Sequence, residues 1–358
     1  MLSIFKRFDP KGTLSDDGKR FKYIDVLYVI GILLVVWGHS HPIDSSWYGT
    51  WYSHLNAFVY TFHMPMFFFI GGYLMVFSKS VDRLGYKKWA IGKLLKFLIP
   101  YLVLTVLAFY PKSLLGDTSD VVDLSLGYLL KTTFLIPRIG VWGHFWFIPT
   151  FLILDLVWGA WRCNASKSTR IYTFGLLFGL IVSAALAIFP IRTDYFVLFD
   201  LSQVALFYTV GIITALIKPI LWDKAWKNIS WIVSCAIVAY FVYPYGHFGK
   251  WDLPISNFVV GICLIWICWN LAKLISNLKC SRLAENLTKY NFTIFVYSWP
   301  AQAFIDVILR RLSVHWYIII AAMFFTGFIA PTVIIFVYKK LKFLHCKFFD
   351  YLIGINTK

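Results

Sequence analysis

"VIGILLVVWGHSHP", residues 29–42, is the stretch whose reading decides the fold. Its branched apolar run suits a helix sunk in lipid. It nevertheless closes on Trp37, Gly38, His39 and Ser40, placing an imidazole where hydrocarbon is cheaper. An ionised group at a bilayer centre costs roughly 2.5–3.5 kcal/mol on insertion scales, so each polar residue in such a run calls for a reason.

Outward from this stretch the rest of the chain has the same character. The 358 residues are 59% hydrophobic, 20% aromatic and only 14% charged, with a mean hydropathy of +0.70. A soluble domain needs more charge to stay dispersed, and apolar runs near the ~20 residues that a bilayer requires recur along the sequence. Lipid forces backbone groups to pair within each segment. The expected fold is therefore an all-α integral membrane protein, a bundle of about ten transmembrane helices. The alternating ten-residue strands of a closed barrel are not seen.

Ten spans can be drawn: 23–40, 55–77, 90–110, 144–161, 171–190, 197–217, 229–243, 254–275, 290–309 and 316–338. The span at 229–243 is short enough to be tilted or partly re-entrant. A weaker apolar stretch, 120–137, is expected at the surface or re-entering. The net charge of +17 would suggest nucleic acid in a soluble protein, but here the charges occupy short loops between apolar runs. With both termini cytosolic, 27 of the 34 Lys and Arg fall on the inner side and 7 on the outer, the bias of the positive-inside rule. The first apolar run ends in WGHS rather than a small-residue cleavage site, so it reads as a retained helix. The expected organisation is a basic cytosolic segment 1–22, one membrane domain 23–340 and a cytosolic tail 341–358.

The six cysteines show no paired spacing of a zinc site, and in this topology all lie in the membrane or on the cytosolic side, where disulfides are not expected. Helical periodicity puts Asp25, Tyr28 and His39 on one face of the first span. His63 sits two residues before Pro65 in the second span, and His144 opens the fourth in "GHFWFIP", beside Trp146. The three imidazoles fall at similar depths. No two stand at i, i+4 on one helix and no carboxylate neighbours them, so no metal is expected. A histidine titrating near neutrality suits proton abstraction from a hydroxyl attacking an acyl carbon. There is no G-x-S-x-G elbow, no P-loop and no G-x-G-x-x-G, which removes support for a covalent serine intermediate, ATP-driven transport and dinucleotide chemistry.

The segments "YIDVLYVIGILLVVWGHS" (23–40), "FHMPMFFFIGGYL" (62–74), "KFLIPYL" (96–102), "GHFWFIPTFLI" (143–153), "LFYTVGIITALI" (206–217) and "NFTIFVYSWP" (291–300) resemble, in order, the type-3 acyltransferase family of integral membrane proteins. That family includes bacterial polysaccharide O-acetyltransferases. The resemblance implies about ten helices in a bacterial inner membrane, a cytosolic acyl-CoA donor such as acetyl-CoA, and a glycan or glycolipid hydroxyl as acceptor. It makes His39 the catalytic residue, with His63 and His144 orienting the acceptor or stabilising the oxyanion. Position 28 is usually Arg in that family and here is Tyr28; Lys96 stands where Arg is frequent, and Ser298 near a frequent His. Asp25, Tyr28, Lys93, Lys96, Trp146 and Ser298 are the expected substrate- and donor-binding set, with Lys87 or Lys88 as further phosphate contacts. For the lysines, the positive-inside signal alone is a sufficient alternative. Two rivals stand beside the enzyme: a glycan or glycolipid exporter using the same polar cavity, and a diverged, inactive homologue admitted by Tyr28. The lack of matching broken helices in two halves weighs against a carrier.

Overall fold

The computed structural model describes residues 21–113, 123, 125–165, 168–217, 225–247, 254–278, 281–341 and 346–354. The expected basic segment 1–22 lies outside the described residues up to position 20, as do parts of the 120–137 stretch and of the tail. Among the described residues every regular element is helical. In chain order they are α1 (Lys22–Gly38), α2 (Trp51–Tyr60), α3 (His63–Val76), α4 (Lys79–Leu84), α5 (Tyr86–Ser113), α6 (Leu126–Leu130), α7 (Phe147–Ala165) and α8 (Thr169–Ile188). There follow α9 (Leu198–Ile217), α10 (Ala225–His247), α11 (Pro254–Ser276), α12 (Ser281–Thr288), α13 (Asn291–Arg311), α14 (Trp316–Lys340) and α15 (Lys347–Ile353).

Among the described residues, eight helical stretches are long and apolar enough to cross a membrane, and they coincide with eight of the ten expected spans. The remaining two are shorter. α1 has 17 residues, and the apolar part of α10 runs Ile229–Tyr243 within a helix of 23. Among the described residues the stretch 120–137 forms no span. It breaks into α6, a π turn over Lys131–Leu135 and a 3-10 turn at Pro137–Ile139. The Tyr101 hydroxyl of α5 donates to the Thr133 carbonyl at 2.6 Å, which ties this broken segment down and buries Thr132 and Thr133.

The second expected span is broken as well. α2 ends at Tyr60 and α3 begins at His63, because Pro65 has no N–H to continue the ladder onto Thr61. The Thr61 hydroxyl instead donates to the Phe58 carbonyl at 2.7 Å. α1 is the hub of the bundle: α3, α11, α12, α13 and α14 all pack on it. The tightest crossing joins α3 to α9. A Cβ added at Gly72 would lie 1.9 Å from the Tyr208 carbonyl oxygen, and one at Gly211 would lie 2.1 Å from that of Phe69. The two backbones touch reciprocally, the close approach that small residues permit in lipid, and any side chain at either position forces the helices apart.

Candidate active site

α1 stops at Gly38, so His39 is not inside the span but is the residue that caps it, at φ −93°, ψ 1°. A helix end leaves carbonyls without partners, which is costly away from water. Here hydroxyls and an amide take them. Tyr52 Oη shares its single proton between the carbonyls of Trp37 (2.9 Å) and Ser40 (2.8 Å). Ser40 Oγ donates to Val36 O at 2.6 Å. The Gln302 amide of α13, fully buried, donates to Val36 O (2.8 Å) and to Ser40 Oγ (2.9 Å). Tyr60 Oη donates to the Gly38 carbonyl at 3.2 Å and lies 3.4 Å from His39 Nδ1. In the tautomer where the phenolic proton rests on Gly38, the Nδ1–H of His39 is the donor to Tyr60 and the lone pair lies on Nε2.

The three histidines converge. The rings of His39 and His144 lie 5.9 Å apart between centroids, and Tyr60 bridges His39 (6.0 Å) to His63 (4.7 Å). His63 donates through Nδ1 to the Val59 carbonyl at 3.0 Å, leaving its buried Nε2 without a hydrogen-bond partner. All three line one cavity of about 500 Å³, with Trp146, Trp299, Asn257 and Gln203 among its walls. Arg138 enters the same cavity. It pairs with the buried Asp200 and stacks on Trp146, 4.8 Å from the ring centroid. The ion pair balances its charge while Trp146 and Phe199, the latter's ring centroid 5.5 Å away, pack on the guanidinium.

A second cavity, of about 530 Å³, is lined by Tyr28, Lys93, Lys96, Lys289 and a sleeve of phenylalanines: Phe67, Phe97, Phe147, Phe151, Phe292 and Phe295. Lys93 Nζ donates to Asp155 at 2.5 Å, and the Tyr208 hydroxyl donates to the other carboxylate oxygen at 2.6 Å. Asp155 is buried and so is fully paired, as a carboxylate within a span must be. Tyr28 lies eleven residues before His39, about 16 Å along the rise of a helix, and faces Phe67 at 6.0 Å.

Phe295 of α13 belongs to the walls of both cavities. Its ring lies 6.0 Å from that of His144 on one side and 5.2 Å from that of Phe147 on the other. The histidine cavity and the lysine cavity therefore meet at one buried aromatic side chain.

The structure brings His39, His63, His144 and Trp146 to the first cavity and Tyr28, Lys93 and Lys96 to the second. Asp25 and Ser298 are buried and line neither cavity, and Lys87 and Lys88 also stand outside both. Trp146, expected in the substrate- and donor-binding set, shares its cavity with the histidines. Tyr60, Tyr52, Gln302 and Phe295 escaped the sequence reading. Tyr60 stands three residues before His63, a helical spacing hidden by the break between them; Gln302 acts on residues more than 260 positions away. Nothing in the string marks Phe295 apart from its 33 fellow phenylalanines.

A search for relatives found no match among curated proteins and none among solved structures. The acyltransferase-domain model of the type-3 group does match, over residues 21–338. That range runs from α1 into α14 and contains every lining residue of the histidine cavity and all of the lysine cavity's but Gly354. The chain is a multi-pass helical protein that belongs to the type-3 acyltransferase family.

Proposed function

We propose that this membrane acyltransferase moves an acyl group, acetyl in the first instance, from acyl-CoA in the lysine cavity to a hydroxyl of a glycan or lipid-linked glycan in the histidine cavity. The observation that carries this reading is the pair of cavities meeting at Phe295, with an open imidazole nitrogen on one side and lysines on the other. The positive-inside charge bias supports both termini in the cytosol and the lysine cavity facing it. The setting is then the inner membrane of a bacterium, with the histidine cavity opening outward.

In this reaction His39 Nε2 takes the acceptor hydroxyl proton as its oxygen bonds to the thioester carbonyl carbon. The Nδ1–H donated to Tyr60 fixes the tautomer. Collapse of the tetrahedral intermediate breaks the C–S bond, and the imidazolium returns the proton to the departing thiolate. His144 hydrogen-bonds the oxyanion as it forms, and His63, whose Nδ1–H is held on Val59 O, orients the acceptor by taking a hydroxyl hydrogen on Nε2. Trp146 and Trp299 offer aromatic faces to the apolar side of a sugar ring. Lys96 and Lys289 attract the donor phosphates as point charges, and the phenylalanine sleeve takes the pantetheine arm.

The test is transfer of radiolabel from acetyl-CoA to a glycan acceptor in vesicles carrying the protein. Label should reach the glycan, and Tyr60→Phe should slow it several-fold, by about the value of one hydrogen bond of 0.5–1.5 kcal/mol. Glycan that crosses the vesicle wall unlabelled and without CoA would favour the exporter, and no reaction under any donor would favour the inactive homologue.

A further inference from the structure

The chain continues past the family match, which ends at residue 338. We infer that α15, the short helix of this extra segment, forms part of the donor site; the inference rests on the acyl-CoA reading of the lysine cavity. Three bonds dock it. Tyr338 Oη donates to Asp350 Oδ1 at 2.6 Å, burying that carboxylate near the start of α15. At the other end, Thr293 Oγ1 donates to the Ile353 carbonyl (2.6 Å) and Tyr297 Oη to the Leu352 carbonyl (2.9 Å). These carbonyls are the unsatisfied acceptors of a helix C-terminus. Two hydroxyls one turn apart on α13 are thus spent on them, while the body of α15 lies against α5, the helix that carries Lys93 and Lys96.

The next residue reaches the cavity. Gly354 is left-handed at φ 81° and lines the lysine cavity with Tyr28 and Lys96. A Cβ there would stand 2.6 Å from Phe292 Cδ1 and 3.3 Å from the Thr293 nitrogen. Only glycine meets both the backbone conformation and the approach. Phe292 in turn packs edge-on against Phe97 at 5.5 Å, and both rings are walls of the cavity. The seat of Gly354 therefore fixes the rotamer of Phe292 and closes one side of the donor cavity. α15 positions the wall and does not act on the reacting atoms.

The experiment uses the full chain, purified in detergent or nanodiscs, in three forms: unaltered, Thr293→Val with Tyr297→Phe, and Gly354→Ala. CoA binding is measured by calorimetry, and the KM values for acetyl-CoA and for the glycan are measured separately. Losing two hydrogen bonds worth 0.5–1.5 kcal/mol each should weaken CoA binding and raise the donor KM about tenfold, with the acceptor KM moving less than about twofold. Thr293→Ser, which keeps the hydroxyl, should restore donor affinity. A thermal unfolding midpoint matching the unaltered chain shows that the variants are folded; a fall in that midpoint together with equal rises in both KM values would overturn the inference. Equal CoA affinity in all three forms would overturn it too. An unaltered chain that binds no CoA would instead remove the donor reading beneath it.

Discussion

The two cavities are nearly equal in size, about 530 and 500 Å³, and share one side chain, yet their walls are unlike. The lysine cavity is an apolar sleeve of six phenylalanines with cations among them. The histidine cavity sets three imidazoles, the amides of Gln203 and Asn257 and the Arg138 guanidinium among tryptophan and other apolar walls. An apolar sleeve with basic groups suits a long flexible arm ending in phosphates. A wall of spaced donors and acceptors suits a rigid polyol. On the proposed reading, the difference lies in the kind of polar group each cavity presents, cations in one and imidazoles and amides in the other.

The sharpest way to break this division is His39→Ala. Loss of a positioned base should lower transfer by about 10²–10⁴-fold, while calorimetric CoA affinity stays put; a matching fall in CoA binding would mean that the cavities are not functionally distinct. Phe295→Ala removes the shared wall and should admit water to the thioester. Thiol release from acetyl-CoA without acceptor should rise by about tenfold, an effect of roughly 1.4 kcal/mol, and thiol release at the unaltered rate would show that Phe295 divides nothing. Lys96→Met tests one side alone. We expect the donor KM to rise about fivefold at low salt and the difference to shrink as salt screens the remaining cations, with the acceptor KM unmoved. Asn257→Ala tests the other side. Asn257 lines the histidine cavity and its buried Oδ1 has no hydrogen-bond partner, so its removal should raise the acceptor KM about threefold, a fraction of one hydrogen bond, and leave CoA affinity intact.

The spans were legible because hydropathy over twenty residues reports lipid directly. His39 was legible because a polar residue at the end of such a run stands out against it. That the same position caps the helix was not, since α1 ends at Gly38 through bonds from Tyr52, Tyr60 and Gln302. Asp25 shares a helical face with Tyr28 in projection, but it lines neither cavity. Projection gives an angle, and only packing says whether that angle meets a neighbour or a void. The Lys93–Asp155–Tyr208 cluster joins α5, α7 and α9, elements whose adjacency no local spacing records. Phe295 illustrates the same limit: its importance lies wholly in where two empty spaces meet.

The reciprocal glycines of α3 and α9 carry a consequence for how an acceptor gets in. With Gly72 against Tyr208 and Gly211 against Phe69, these helices have no room to close further on one another and form the tightest post of the bundle. His63 on α3 and Gln203 on α9 are mounted on it. On the proposed glycan reading, we expect the widening that passes a bulky saccharide to come from Arg138, His144 and Trp299 of α13, which line the same cavity from other elements.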